Sequence, residues 1–272
     1  MPFPISKLWK HDYRDIKMDL DRCLTEALTA AGGRSPIPVF FRADDVAVPG
    51  KQFRKLVDVF SRYQVPLSMS VVPTWLTVDR WKGIERLCNK NSQLWCFYQH
   101  GWRHMNHEHS GKKQEFGPAR PIAEIEHDLL RGRERLMSLL QDAFYPAFTP
   151  PWNRCSKAAL TVLRTTGYRA ISRSRGAFPP APAGMPDFQV NVDLHTRKEH
   201  TAALGWKNLF AELAASIGDG FCGIMIHHQR MNDNALTFLE GLLDKMLTMD
   251  AFCFCHLNNL AEDHHETCTL SA

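Results

Sequence analysis

The sequence has no C-x-x-C pair, no block of more than two consecutive basic residues and no apolar run approaching a membrane span. Without paired cysteine spacing, the eight cysteines are expected to be reduced thiols. Without basic blocks, the net charge of +4 does not indicate a nucleic-acid surface. A membrane span needs about 20 apolar residues, and the charged opening segment lacks the apolar core of a signal peptide. We therefore expect a cytoplasmic protein that binds neither nucleic acid nor membranes.

The composition is that of a globular protein. Hydrophobic residues make up 44% of the 272 positions and charged residues 23%, which argues against a disordered or fibrous chain. A chain of this length could form two small domains, but α/β barrels of similar length fold as one unit around one core. We expect a single domain over residues 1–272, and nothing in the sequence specifies an oligomeric state.

Short apolar runs alternate with longer segments of helical period, a pattern typical of a sheet built from βα units. Strands are predicted at 37–42, 66–72, 94–99, 146–149, 168–173, 188–194, 222–227 and 251–257. Helices are predicted at about 12–31, before the first strand, and at 51–64, 121–141, 156–167 and 235–249. Gly167 is expected to end its helix in a left-handed conformation. Seven or eight strands alternating with helices predict a (β/α) barrel.

The stretch YQHGWRHMNHEHSG, residues 98–111, is rich in histidine. Its spacings of four and three would place His100, His104 and His107 on one stripe if this segment were helical. Imidazoles on one stripe can share a metal ion, but a solvated histidine-rich loop fits the same pattern. A carboxylate at another strand end would favour the metal site.

Two adjacent carboxylates, Asp44 and Asp45, follow the first predicted strand, and the seventh ends in His227 and His228. Functional residues of α/β barrels lie where strands end. Adjacent carboxylates repel one another, and a divalent cation would offset this repulsion, although a turn or a helix cap is the other interpretation. Two histidines with one carboxylate form a common zinc set that leaves positions for water and substrate, so we predict a metal site.

In order and in strand placement, these motifs resemble those of the metal-dependent polysaccharide deacetylases of the NodB-homology superfamily, over about residues 37–257. The resemblance implies a deformed (β/α) barrel. It also implies that Asp44 is the catalytic base and that His227 is the general acid. The three metal ligands would be Asp45, His100 and His104.

The motif that lines the substrate groove in this family is matched by Pro151 and Trp152, but the arginine that opens it and orients the base is Thr149 here. The resemblance therefore implies that Arg42 or Arg154 takes the place of that arginine, or that the base is held in a different way. This departure indicates a divergent subgroup, whose substrate need not be that of better-known members.

Several other polar or aromatic positions also have predicted roles, some of them with two interpretations. His107 is either a fourth or alternative ligand or a supporting or loop residue. The resemblance matches Asp193 to a family aspartate that tunes the catalytic histidine. His228 is predicted to face the side of its strand opposite to His227. Glu115 either contacts substrate or lies in a solvated loop. Trp102, like Trp152, either stacks on a sugar ring or belongs to the core.

The resemblance implies hydrolytic removal of an N-acyl group from an amino sugar or a saccharide precursor, with acetyl as the first candidate for this group. A divalent metal, zinc first, would polarise the water and the carbonyl, with a main-chain amide near Trp152 helping to hold the oxyanion. The expected partner is a small-molecule or oligosaccharide substrate. Two alternatives remain: hydrolysis of another C–N bond, as in a cyclic amide or ureide, and a carbohydrate-binding barrel without activity.

Overall fold

The computed structural model describes residues 4–10, 17–33 and 36–262, in which strands and helices alternate along the chain. The strands β1 to β8 span Ile37–Val46, Leu67–Val71, Trp95–His100, Phe144–Thr149, Ala170–Ile171, Val192–Asp193, Cys222–Ile226 and Phe252–Phe254. The helices α1 to α7 span Lys17–Ala30, Lys51–Tyr63, Val78–Cys88, Ile122–Leu140, Lys157–Thr165, Ala202–Gly218 and Asp233–Leu247. Within the described ranges, no helix combines the length and the apolar character needed to cross a bilayer.

The eight strands form one sheet in the order β5-β4-β3-β2-β1-β7-β6, and β8 also pairs with β1. β1 runs parallel to β7, with Val39 opposite Cys222, and β3 runs parallel to β4, with His100 opposite Thr149. Parallel neighbours end at the same edge of a sheet, so the residues that end β3 and β4 lie side by side. The strands at all eight predicted positions and their parallel pairing confirm the predicted α/β fold class.

The chain divides into two compact units. The first comprises Met1–Ala43, Gly50–Leu67 and Val190–Cys255, and the second comprises Asp44–Pro49, Ser68–Gln189 and His256–Ala272. In the first unit, the Trp9 ring centroid lies 5.4 Å from that of Trp206 and 5.3 Å from that of Phe238. In the second unit, the ring centroids of Phe148 and Tyr168 lie 5.8 Å apart. Each unit therefore has a core that contains packed aromatic rings.

Helix boundaries follow local sequence signals. The side chains of Thr77, Ser156, Thr201 and Asn232 each accept a hydrogen bond from the amide three residues ahead, at the starts of α3, α5, α6 and α7. Such a cap satisfies an amide that has no partner within the first helical turn. Helix α5 is followed by Gly167, whose φ of 84° is the predicted left-handed conformation.

Strands β5 and β6 contain two residues each, fewer than predicted. After each of them, a main-chain amide donates to a carboxylate instead of to a neighbouring strand. The amide of Arg173, after β5, donates to the Asp187 carboxylate at 3.1 Å. The amide of His195, after β6, donates to the Asp193 carboxylate at 2.9 Å.

Two further elements differ from the prediction. β1 extends to Val46, so Asp44 and Asp45 lie within the strand rather than after it. The histidine-rich stretch after His100 is irregular up to α4, so His100, His104 and His107 do not form a helical stripe. Of the predicted opening helix, residues 12–16 lie outside the described residues, and the remainder corresponds to α1.

Candidate metal centre and its surroundings

The second unit brings Asp45, His100 and His104 together. The Nε2 atoms of both histidines lie 3.3 Å from the same oxygen, Oδ1 of Asp45. The potential ligand atoms of these residues all lie within 4.8 Å of one another, so this group could hold a metal ion. Among the described residues, this is the one group of three or more histidine, cysteine or acidic side chains with that property.

The hydrogen bonding of His100 shows that this geometry fits a cation. Nδ1 of His100 lies 3.0 Å from the carbonyl oxygen of Thr149, which can only accept, so Nδ1 carries a proton. Nε2 faces the Asp45 carboxylate at 3.3 Å, and a positive charge stabilises this contact, either a proton on the imidazole or a bound cation. One bound divalent ion would serve His100, His104 and Asp45 together.

The pKa values of the two histidines move in opposite directions. Burial lowers the pKa of His100, but its bond to Asp45 and the charges of Asp44 and Asp45 outweigh burial and raise the pKa overall. Burial, followed by the charge of His100, lowers the pKa of His104 to about 4. The second imidazole is therefore neutral at pH 7, the form in which histidine binds a metal.

Three residues at this centre have left-handed backbone conformations. The φ angles are 61° at Asp45, 58° at His104 and 56° at Trp152. This region is uncommon for residues other than glycine, and each instance has a free-energy cost that the surrounding structure must offset. The conformation at Asp45 interrupts the alternation of side chains along β1, which no pattern in the sequence indicates.

Asp44 is buried beside the three potential ligands, and its carboxylate accepts a hydrogen bond of 2.8 Å from Oγ of Ser70 on β2. The charge of Asp44 acts on both His100 and His104. Ser70 was not predicted as a site residue, because a serine within an apolar strand has no distinctive sequence signal. The two carboxylates of the pair therefore have different partners, a hydroxyl for Asp44 and imidazoles for Asp45.

Two tryptophans flank His104. Its ring centroid lies 4.6 Å from Trp152 and 5.6 Å from Trp75, and both indoles are partly exposed. Trp75 was missed by the sequence analysis. The groove interpretation of Trp102 is wrong, because this side chain is buried in a cluster with Phe116 and other apolar residues.

The predicted alternatives for Glu115 are both wrong. Its side chain is 0% exposed, and its carboxylate accepts hydrogen bonds from the amides of Trp102 at 3.1 Å and Arg103 at 2.6 Å. Burial has the largest influence on the pKa of Glu115 and raises it. The bonds from these amides lower the pKa, but the overall shift is upward. Sequence alone did not reveal this role, because a glutamate in a charged loop is usually solvated.

His107 lies outside the group formed by Asp45, His100 and His104. It contributes to a separate cavity of about 550 Å³ lined also by Arg103, Arg120, His127, Asp128 and neighbouring residues. Burial, then the charge of Arg120, lowers its pKa.

Thr149, at the end of β4, belongs to a buried polar network. Its hydroxyl donates to the carbonyl of Ser172 at 3.0 Å and lies 3.2 Å from the hydroxyl of Tyr98. Pro151 is buried, and the guanidinium of Arg154 lies 3.5 Å from the carbonyl of Lys113. Thr149 thus orients His100 through its main-chain carbonyl.

The first unit contains a second group of histidines, at the ends of β6 and β7. His195 is 1% exposed, and its Nδ1 accepts the amide of His227 at 3.3 Å. His228 is buried against Phe53, with ring centroids 5.4 Å apart. His195 was not predicted, since it follows a short strand without a recognisable motif.

The Asp193 carboxylate, matched by the resemblance to a residue that tunes His227, accepts the amides of His195 and Thr196 at 2.9 Å each. It therefore shapes the turn after β6. Arg42 is fully buried in the same unit, where its Nη2 lies 3.2 Å from Sδ of Met225.

No protein-family model matches this sequence, and no curated protein matches it significantly. Solved structures do match over most of the chain. A candidate polysaccharide deacetylase from Mycobacterium smegmatis gives a TM-score of 0.66 at 14% identity, covering 86% of this chain and 92% of that one. A peptidoglycan N-acetylglucosamine deacetylase in complex with a benzamide compound gives 0.54 at 15% identity, covering 83% and 88%.

An acetyl xylan esterase of carbohydrate esterase family 4 from Clostridium thermocellum, in complex with a cobalt ion, gives a TM-score of 0.54 at 13% identity, covering 82% of this chain and 89% of that one. Proteins described as pseudoenzymes of family 4 also match. At these identities the likeness establishes the fold. The chain therefore has the deformed (β/α) barrel fold of the family 4 polysaccharide deacetylases that its motifs resemble.

Proposed function

We propose that the protein is a metal-dependent hydrolase that removes an N-acyl group from an amino sugar or a saccharide precursor. Acetyl is our first candidate for this acyl group. The observation that carries this proposal is the approach of His100 and His104 to a single oxygen of Asp45, at 3.3 Å each. The fold supports it, since solved structures with this fold include a deacetylase of N-acetylglucosamine units and an esterase with a bound cobalt ion. We propose further that residues 1–272 act as one catalytic domain in the cytoplasm.

Asp45, His100 and His104 would hold the ion, with zinc proposed first because nitrogen and oxygen ligands in this number are typical of catalytic zinc. When bound, a divalent ion polarises the acyl carbonyl and lowers the pKa of water. The Thr149 carbonyl fixes the His100 ring with Nε2 directed inward, as supporting partners of metal-binding histidines do.

Asp44 would act as the general base. Its position beside the ligand residues supports this role, and the bond from Ser70 orients the carboxylate.

Charge develops on the carbonyl oxygen during attack, and an amide near Trp152 would stabilise it. The amides of Asn153 and Arg154 donate to the carbonyls of Pro150 and Pro151, so we assign this role to the amide of Trp152. Trp152 and Trp75 would form walls on which a sugar ring stacks, because aromatic faces suit the apolar faces of sugars.

The resemblance assigns to His227 the protonation of the leaving amine. Since the Asp193 carboxylate is bonded to the turn after β6, we propose that His195 takes over the positioning of His227, through the amide that it accepts. Arg42, fully buried on β1, is our candidate for the role of the missing motif arginine, rather than Arg154.

The proposal is tested by measuring bound metal and acetate release on the purified protein. Release from a panel of N-acetylated amino sugars should cease with a chelator and return when Zn²⁺ or Co²⁺ is added. A cyclic ureide in the same panel tests the alternative C–N bond. Stoichiometric metal without turnover of any substrate would instead support a binding barrel, the alternative raised by the pseudoenzymes of this fold.

A further inference from the structure

The segment between the two histidines of the metal centre has a turn at each end. The φ angles are 62° at Gly101 and 58° at His104. Between these turns, the amides of Trp102 and Arg103 both donate to a side chain, the carboxylate of Glu115, at 3.1 and 2.6 Å. The loop that carries His104 is therefore held from inside the protein by one carboxylate.

Both oxygens of the Glu115 carboxylate are used. Oε2 accepts the amide of Trp102, Oε1 accepts the amide of Arg103, and the amide of His104 also acts on the group. A fully buried carboxylate is costly unless hydrogen-bond donors surround it, and consecutive amides form a recognised anion-binding concavity. The side chain of Glu115 fills that concavity from within the chain itself.

Main-chain bonds on both sides fix the position of Glu115. The carbonyl of Gln114 accepts the amide of His107 at 2.9 Å, and the carbonyl of Phe116 accepts the amide of Ser156 at 2.8 Å. Phe116 is also fully buried in the apolar cluster of the second unit. The carboxylate is therefore presented from a rigid base, rather than from a free loop.

The fit between this carboxylate and the ligand segment is close. A Cβ atom at Gly101 would lie 2.2 Å from Oε2 of Glu115 and 2.5 Å from Cγ of Pro151, distances that real Cβ atoms do not show. Gly101 is therefore required both by its left-handed φ and by the space that Glu115 occupies.

We propose that Glu115 is a positioning residue of the metal centre, whose carboxylate holds the segment from His100 to His104 in the shape that brings both imidazoles to Asp45. This inference rests on the metal dependence proposed above. Without the carboxylate, the left-handed turn at His104 would lose the bonds that offset its cost, so His104 would leave the centre. His100 would remain, since the carbonyl of Thr149 holds it independently.

The test measures metal affinity on the full-length protein carrying Glu115→Gln. Competition with a chromophoric chelator gives the Kd for Zn²⁺ and Co²⁺, and the visible absorption of bound Co²⁺ reports its ligand geometry. The glutamine amide group would face a main-chain N–H, so we expect affinity to fall roughly 10- to 100-fold, the usual loss when a supporting partner of a ligand is removed. We also expect the Co²⁺ spectrum to change.

Glu108→Gln is the matched control. Glu108 lies in the same loop, and its carboxylate also accepts a main-chain amide, that of Ala119 at 3.2 Å, which is remote in sequence from the ligands. Affinity should be unchanged in this variant. In a protein that already carries His104→Ala, Glu115→Gln should cause no further loss, because Glu115 acts through His104.

An unchanged Kd and Co²⁺ spectrum in Glu115→Gln would overturn the inference. It would also be overturned if Glu115→Gln weakened metal binding equally in the unaltered protein and in the protein that carries His104→Ala. If the variant does not fold, hydrogen exchange in the unaltered protein decides: the amides of Trp102 and Arg103 should exchange slowly, and exchange as fast as in a solvated loop would overturn it. Metal binding that depends on Glu115, without hydrolysis of any acyl substrate, would refute the proposed function and leave this inference standing.

Discussion

The two groups of histidines in this chain have opposite electrostatic surroundings. In the second unit, His100 and His104 face a carboxylate, and the pKa of His100 is raised despite complete burial. In the first unit, burial and then the charges of His227, His228 and Arg230 hold the pKa of His195 well below its usual value. Buried histidines thus occur in both units, but the carboxylate partner is what suits one group to a cation.

The comparison shows why histidine content alone is a poor guide to a metal site. Imidazoles surrounded by other basic groups stay neutral and act as hydrogen-bond acceptors, as Nδ1 of His195 does for the amide of His227. The imidazole of His100, which the carbonyl of Thr149 orients towards Asp45, makes a contact with that carboxylate that a positive charge stabilises. The orientation of each ring, set by its other nitrogen, separates these two outcomes.

Removing an imidazole of the metal centre should have the largest effect. His104→Ala should weaken metal binding by more than the roughly 10- to 100-fold loss expected for a supporting residue, and hydrolysis should be lost with the metal. His228→Ala, which removes a buried imidazole of the other group, should leave metal content unchanged. Elemental analysis of both variants checks this, and equal metal loss in the two would erase the distinction between the groups.

Asp44→Asn should separate catalysis from metal binding. We expect kcat/KM to fall roughly 10²-fold or more while metal content stays nearly intact, the effect of losing a general base. Asp45→Asn should lose both. Ser70→Ala, which removes only the hydroxyl bonded to Asp44, should cost less than Asp44→Asn. If Asp44→Asn lost the metal and Asp45→Asn kept it, the roles of the two carboxylates would be reversed.

His227→Ala should affect amide substrates more than esters. An amine needs a proton to leave, so amide hydrolysis should fall roughly 10²-fold, whereas an activated ester should lose much less. His228→Ala is the control, and a selective loss of amide hydrolysis there would identify the wrong histidine.

The smallest effect concerns acid stability of the metal-free protein. The pKa of His195 is lowered in the folded state, so its contribution is present above the unfolded value of about 6.5 and is lost as pH falls below it. When the pH falls from 7.5 to 5.5, this group alone should lower the free energy of unfolding by about 1.4 kcal/mol. His100, whose pKa is raised, contributes in the opposite sense, with stability lost as pH rises.

Urea denaturation in the presence of a chelator, at pH 7.5 and 5.5, measures this dependence. His195→Gln should reduce the acid-side loss by about 1.4 kcal/mol, whatever its effect on stability at pH 7.5. A pH dependence identical to that of the unaltered protein would show that His195 is not held neutral by its surroundings.

Much of the fold was predictable because its signals are local. Apolar runs located all eight strands, and Gly167 marked the end of α5. Pairs such as Asp44-Asp45 and His100 with His104 were recognisable because their residue types are unusual after apolar strands. The prediction that these residues bind metal and perform catalysis stays a prediction.

The rest depended on contacts between residues distant in sequence. The burial of Glu115 follows from amides of Trp102 and Arg103 that only the folded loop directs inward. Trp75 lies beside His104 because of chain folding between β2 and β3, and the period of neither segment indicates it. His195 likewise acquires its role from a hydrogen bond with the main-chain amide of His227, 32 residues later in the chain.

The left-handed conformations at Asp45, His104 and Trp152 also determine which replacements these positions tolerate. Glycine, asparagine and aspartate adopt positive φ readily, whereas valine, isoleucine and threonine do so at high cost. A library randomised at these three codons and selected only for folded protein should therefore be enriched in small or amide side chains and depleted of β-branched ones, irrespective of activity. Asparagine and glycine are accordingly the substitutions that remove a functional group here while leaving the backbone in place.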